Sequence, residues 1–305
     1  MHPYRILLLL LCLLACPSAW SAGFEPMPLK GFTDEHGQSA YRLCNASGNF
    51  GFGHTISPQA GRYDTCAVFP HSPLEAPLPG FTLVVSAMRE ATLPASPDAS
   101  EKTLATLTDM LWRNADKSAC LYGTRLIMRH GDHADYQPDT PGTQLLHVQD
   151  ITRGGFKDQP VDIAYSPQPN IAKPLYRASR SFSSVQYRGK HEDAASGYLA
   201  LPALAPHPTP AIVGLADVDS GKVPSLAEQS AAVDSNWVTF TTYLTAARQS
   251  KKISAVSSLF YIKSTCPAEP LEAKAGAIRL RQTMPPFMEL SLPGFVPAGG
   301  HVDTP

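Results

Sequence analysis

Residues 237–243 read Trp-Val-Thr-Phe-Thr-Thr-Tyr, with apolar and hydroxyl-bearing positions alternating. That alternation predicts a half-buried antiparallel strand. Runs of β-branched and aromatic residues bounded by Gly or Pro predict further strands at 81–85, 121–128, 144–148, 161–165, 175–187, 258–263, 278–282 and 287–292. One stretch reads differently. Asp98-Ala-Ser-Glu101 has the spacing of a capping box, and Leu104, Leu107 and Leu111 follow at helical spacing with Trp112 at the end. This predicts an amphipathic helix over about 98–114 whose apolar stripe packs into the core. No alternating strand–helix rhythm appears. The expected fold is therefore mainly β: an antiparallel β-sandwich with that one helix and long Pro/Gly-rich loops.

Composition supports this picture. The chain holds 29 prolines, which fit loops and edge strands and not helix interiors or central strands. Pro202, Pro206, Pro208 and Pro210 crowd one stretch, so 22–305 reads either as one β-rich domain or as one subdivided near 202–212. Net charge is −1, which removes nucleic acid from the expected partners because phosphate neutralisation needs a basic surface.

The N-terminus reads as a leader. Arg5 precedes an apolar run over 6–15 that is too short to span a bilayer, and Ala19-Trp20-Ser21 puts small residues where a signal peptidase reads. Cleavage before Ala22 would make 1–21 a signal peptide and the protein periplasmic or extracellular. Leu13-Leu14-Ala15-Cys16 also resembles a bacterial lipobox, so a lipid anchor at Cys16 is the alternative. Past the leader no stretch is apolar enough for a transmembrane helix. The mature chain keeps Cys44, Cys66, Cys120 and Cys266, an even number, which in an exported protein implies two disulfides. Sequence leaves the connectivity open. The favoured pairs are Cys44–Cys66, closing a short N-terminal loop, and Cys120–Cys266, tying a middle strand to a late one.

Residues with chemical capability crowd into 120–135. Arg129-His130-Gly131 follows the strand pattern ending at Met128 and resembles the opening motif of the histidine phosphatase superfamily. The resemblance implies a hydrolase in which His130 is the nucleophile and Arg129 a phosphate ligand. A neutral imidazole can attack phosphorus, and a guanidinium forks onto phosphoryl oxygens. That family alternates helices and strands, whereas residues 136–200 carry turn and strand patterns, so the hydrolase stands second. His130, Asp132, His133 and Asp135 also offer imidazole and carboxylate groups to a transition metal, with a solvated loop as the plainer reading. Asp217-Val-Asp219-Ser-Gly221 has part of a calcium-loop pattern but lacks its distal glutamate, and reads as a turn. Tyr165, Tyr176, Tyr187 and Tyr198 fall eleven residues apart; on an exposed sheet face they would stack on sugars or proteins, and otherwise they fill the core. The first expectation is an exported envelope or secreted protein with a binding or structural role. Its partner would be an envelope protein or a glycan, and no cofactor or catalytic residue is expected.

Overall fold

The computed structural model describes residues 23–33, 39–40, 42–44, 66–70, 72–93, 100–129, 145–167, 172–173, 175, 177–181, 186–187, 211–212, 234–246, 255–282 and 288–302. In chain order the strands are β1 (Glu25–Met27), β2 (Phe32–Thr33), β3 (Ser39–Ala40), β4 (Arg42–Leu43), β5 (Phe81–Leu93), β6 (Lys102–Asn114), β7 (Cys120–Met128), β8 (His147–Arg153), β9 (Val161–Ser166), β10 (Ala172–Lys173), β11 (Arg177–Ser179), β12 (Gln186–Tyr187), β13 (Ala211–Ile212), β14 (Val238–Thr245), β15 (Val256–Ser257), β16 (Leu259–Ser264), β17 (Ala273–Gln282) and β18 (Met288–Phe295). No helix occurs among the described residues. None is therefore long and apolar enough to cross a membrane, a statement that does not bear on β-barrels.

Two sheets carry the fold. The first runs β1-β9-β16-β7, with β15 and then β10 continuing beside β7, and with β6 and then β5 on the other flank of β7. The second runs β18-β17-β8-β14-β11-β4. Pairing within them is antiparallel except between β10 and β15. Two small two-stranded sheets, β2-β3 and β12-β13, stand apart. Both sheets contribute to one core: Leu107, Tyr122, Ile163 and Phe260 from the first meet Ile151, Phe240, Ile278 and Leu280 from the second. Phe240 stacks on Phe260 across the gap, ring centroids 5.1 Å apart.

The predicted helix over 98–114 is not formed. Residues 102–114 are β6, a strand between β5 and β7, and 94–99 lie outside the described residues. A β-bulge accounts for the misleading spacing. Ala91 pairs with Ala105 but Thr92 pairs with Thr103, which leaves Leu104 as an extra residue in β6. A bulge shifts side-chain parity by one. Leu104 therefore shares the core with Leu107 and Leu111 although a regular strand would send 104 and 107 to opposite faces. Thr103, Thr106 and Thr108 also suit a strand better than a helix.

The side of the first sheet away from this core is half covered. The 66–80 segment lies over Met110, Trp112, Leu121 and Tyr261, and the Trp112 indole Nε1 donates to the Leu74 carbonyl at 3.1 Å. Gly123 makes room for that indole: a Cβ at this position would come within 2.5 Å of the Trp112 ring. Gly123→Ala should destabilise the protein by about 1–3 kcal/mol through overpacking. An unchanged urea midpoint would show that the ring can shift freely.

Polar side chains set the register of the second sheet. Arg281 donates from Nη1 to Asp150 Oδ1 (3.1 Å) and Thr152 Oγ1 (2.8 Å), and from Nε to Glu289 Oε2 (2.9 Å). It thereby bridges β8, β17 and β18. The turn after β8 is held from both sides. Asn236 Oδ1 accepts from the backbone N–H groups of Gly155 and Lys157 (3.1 and 3.2 Å), while Arg180 Nη2 donates to the carbonyls of Phe156 and Gln159 (2.7 and 3.1 Å). Burial pushes the Arg180 guanidinium down to about 10, against the opposing pull of Asp234 and Asp158.

Two disulfides are present, Cys44–Cys66 and Cys120–Cys266. The second joins the start of β7 to the chain just beyond β16, where the Cys266 carbonyl also accepts from Ala298 N–H at 2.9 Å.

Candidate binding surface on the first sheet

Strand β5 forms one edge of the first sheet; among the described residues it pairs with β6 alone. Two irregularities bracket its middle. Leu83 pairs with Trp112 and Val85 with Leu111, so Val84 is a bulge, and the Leu104 bulge falls beyond Ala91. Between them, 85–91 pairs without interruption with 105–111. Over this stretch Val85 and Ala87 pack toward the shared core, while Ser86, Met88 and Glu90 are exposed.

The inward residue Arg89 is charged and is held by Asp109 of β6. Asp109 is fully buried and its carboxylate is encircled. Oδ2 accepts from Arg89 Nη2 and Nε at 3.2 and 3.4 Å and from the backbone N–H of Phe295 at 3.1 Å; Oδ1 accepts from Arg153 Nη1 at 2.9 Å. Arg153, reaching across from β8, also donates to Thr124 Oγ1 (2.7 Å) and the Phe295 carbonyl (2.9 Å). The Arg89 guanidinium lies 5.2 Å from the centre of the Phe295 ring. This cluster ties β5, β6, β7, β8 and β18 together. A one-residue slip of β5 would pull Arg89 off Asp109, so the register is fixed. An inward charge and a bulge are also the devices by which edge strands resist indiscriminate pairing.

Outside, the uncovered half of the first sheet presents Met88, 80% exposed, with Ile127 of β7 41% exposed. Leu83 and Val84, further along β5 beyond the exposed Ser86, add to this apolar surface. Polar residues rim it. Arg129, just past β7, donates from Nη2 to Glu90 Oε1 (3.0 Å) and from Nε to Thr106 Oγ1 (3.1 Å). Exposed large apolar side chains grouped on one sheet face among polar neighbours make that face the candidate contact surface.

Arg129 is thus the one residue of the 129–135 motif that the structure places, and it spends these donors across β5 and β6. His130, Gly131, Asp132, His133 and Asp135 lie outside the described residues, as do Asp217 and Gly221. Among the described residues no group of three or more His, Cys, Asp or Glu side chains is disposed to hold a metal. Tyr165 is fully buried in the shared core; Tyr176 and Tyr198 lie outside the described residues.

Elsewhere, a concavity of about 360 Å³ opens between 267–275 and 296–302. Pro267, Pro270 and Val296 wall it, and Glu272, Lys274 and His301 supply its charged or titratable groups. Glu272 and Lys274 lie 3.9 Å apart.

No family model, curated protein or solved structure matches the chain. Asp109, Arg89 and Arg153 carried no signal in the sequence, because a buried charge network across two sheets leaves no local pattern. Met88 carried none either: Ser86-Ala87-Met88-Arg89-Glu90 does not alternate apolar with polar positions, so nothing local marks it as an exposed strand residue.

Proposed function

We propose that this protein is an exported, disulfide-braced β-sandwich that serves as a binding or structural module, contacting a partner protein through the uncovered face and edge around Met88. The observation that carries the reading is Met88 itself. It is a large apolar side chain, 80% exposed, at the middle of a strand whose inward residues are held in place. The leader pattern over 1–21 and the two disulfides support export, to the periplasm or the extracellular space, with lipidation at Cys16 as the variant form.

A protein is favoured over a glycan as the occupant. Sugar sites on sheet faces use aromatic platforms, and the open half of this face offers Met88, Ile127, Thr106 and Thr108 with charged neighbours instead. Methionine suits a protein interface because its unbranched thioether adapts to the opposing surface. The phosphatase reading gains no support, since Arg129 binds Glu90 and Thr106.

A photo-crosslinking residue at position 88, in protein produced in its native envelope, tests the proposal. It should give a discrete adduct identifiable by mass spectrometry, and Ile127→Glu should reduce that adduct. The same residue at exposed position 116, in the β6–β7 turn, should give none. Absence of any adduct at 88 would sink the binding role of this face.

A further inference from the structure

Resting on the binding role just assigned to this surface, we propose that its occupant is a second copy of the same chain: β5 pairs antiparallel with its own counterpart about a two-fold axis through Met88, continuing the first sheet across the dimer. The geometry of the edge is self-complementary in one register. The uninterrupted stretch of β5 runs from Val85 to Ala91, and Met88 is its central residue, with three residues on either side before the ladder breaks. A two-fold interface uses one patch twice, so residue i meets j wherever j meets i. An axis perpendicular to the sheet keeps outward residues opposite outward residues. With the axis at Met88, Met88 meets itself, Ser86 meets Glu90, Ala87 meets Arg89 and Val85 meets Ala91.

The neighbouring registers fail on charge or on backbone. An axis at Arg89 sets two guanidiniums opposite each other and Met88 against Glu90. An axis at Glu90 opposes two carboxylates. An axis at Ala87 sets Glu90 against Val84 and runs the Val84 bulge into the new ladder. Like charges directly opposite on paired strands are destabilising, and bulges interrupt pairing. In the Met88 register no like charges are opposed. Small Ala87 leaves room beside Arg89, and the Ser86 hydroxyl can donate to the Glu90 carboxylate. The most exposed of the large apolar side chains described becomes the centre of the contact. The two bulges limit the ladder to this short stretch, which fits a weak, concentration-dependent dimer.

Sedimentation velocity on the full, oxidised protein over a wide concentration range should show mass rising toward twice that of one chain, and Met88→Asp should hold it at one. In a second variant, Met88→Cys should form a disulfide-linked homodimer under mild oxidation, while Asp116→Cys should not. A protein that stays monomeric throughout, with no 88–88 disulfide, overturns the second-copy proposal. So does a dimer that survives Met88→Asp and yields no 88–88 disulfide. If the photo-crosslinker at 88 then captures a different protein, the binding role stands without the dimer; if it captures nothing, both fall.

Discussion

Replacing Asp109 by Ala is expected to destabilise the protein by about 3–5 kcal/mol, because it leaves the buried Arg153 guanidinium without its counter-charge. Arg153 is 1% exposed and Asp109 fully buried, so water cannot take over the lost contact. The same change strands the Phe295 N–H and removes the anchor of Arg89. Domains of this kind have a net stability of about 5–15 kcal/mol, so this one substitution removes a large part of it. Urea unfolding should show a much lower midpoint for Asp109→Ala than for Arg89→Ala, whose side chain is 15% exposed and can be partly replaced by water. Removing both charges together, as Asp109→Leu with Arg153→Met, should cost less than Asp109→Ala alone, since apolar substitutes leave no orphaned charge. An Asp109→Ala midpoint equal to that of the parent would mean that the cluster holds the sheets together far less than its geometry implies.

This cluster also shows what the sequence could and could not disclose. The β character was legible because strand periodicity is local. The strands expected at 121–128, 161–165, 237–243 and 258–263 fall on β7, β9, β14 and β16 within a residue or two. The ends were less legible where a strand outlasts its apolar run. β5 extends to Leu93 because Arg89 has a partner inside, although an internal arginine reads as a strand's end. β8 sits at 147–153 and not 144–148 for a similar reason: Asp150 and Arg153 look like loop residues until Arg281 and Asp109 are seen beside them. The helix expected over 98–114 came from three leucines whose spacing a bulge imitates, and a bulge is set by the partner strand rather than by its own sequence. Of the phosphatase and metal candidates over 129–135, only Arg129 falls within the described residues, and its guanidinium faces Glu90 and Thr106. The surface around Met88 could not be read in advance. Exposure of an apolar residue depends on which neighbours cover the sheet, and the 66–80 segment covers Trp112 while leaving Met88 open.

Removing the Cys120–Cys266 disulfide, as Cys120→Ala with Cys266→Ala, is expected to have an effect of similar size. The bond spans 146 residues, and restricting an unfolded chain by a loop of that length contributes about 5 kcal/mol in the chain-entropy description. Cys44–Cys66 spans 22 residues and contributes about 3 kcal/mol on the same basis. The long-range bond also fixes the chain beyond β16, where Cys266 receives Ala298 N–H and Tyr122 Oη donates to the Thr265 carbonyl at 2.6 Å. Its loss should therefore loosen the 296–302 segment as well as lower the global stability. Urea midpoints for the two paired cysteine variants, measured against the oxidised parent, should fall in that order. Amide exchange should speed up at Ala298 in the Cys120/Cys266 variant and not in the other. The reverse order of midpoints would mean that local packing around each bond, rather than the length of chain it closes, decides its contribution. In that case the short N-terminal bond would be the one on which the sheets depend.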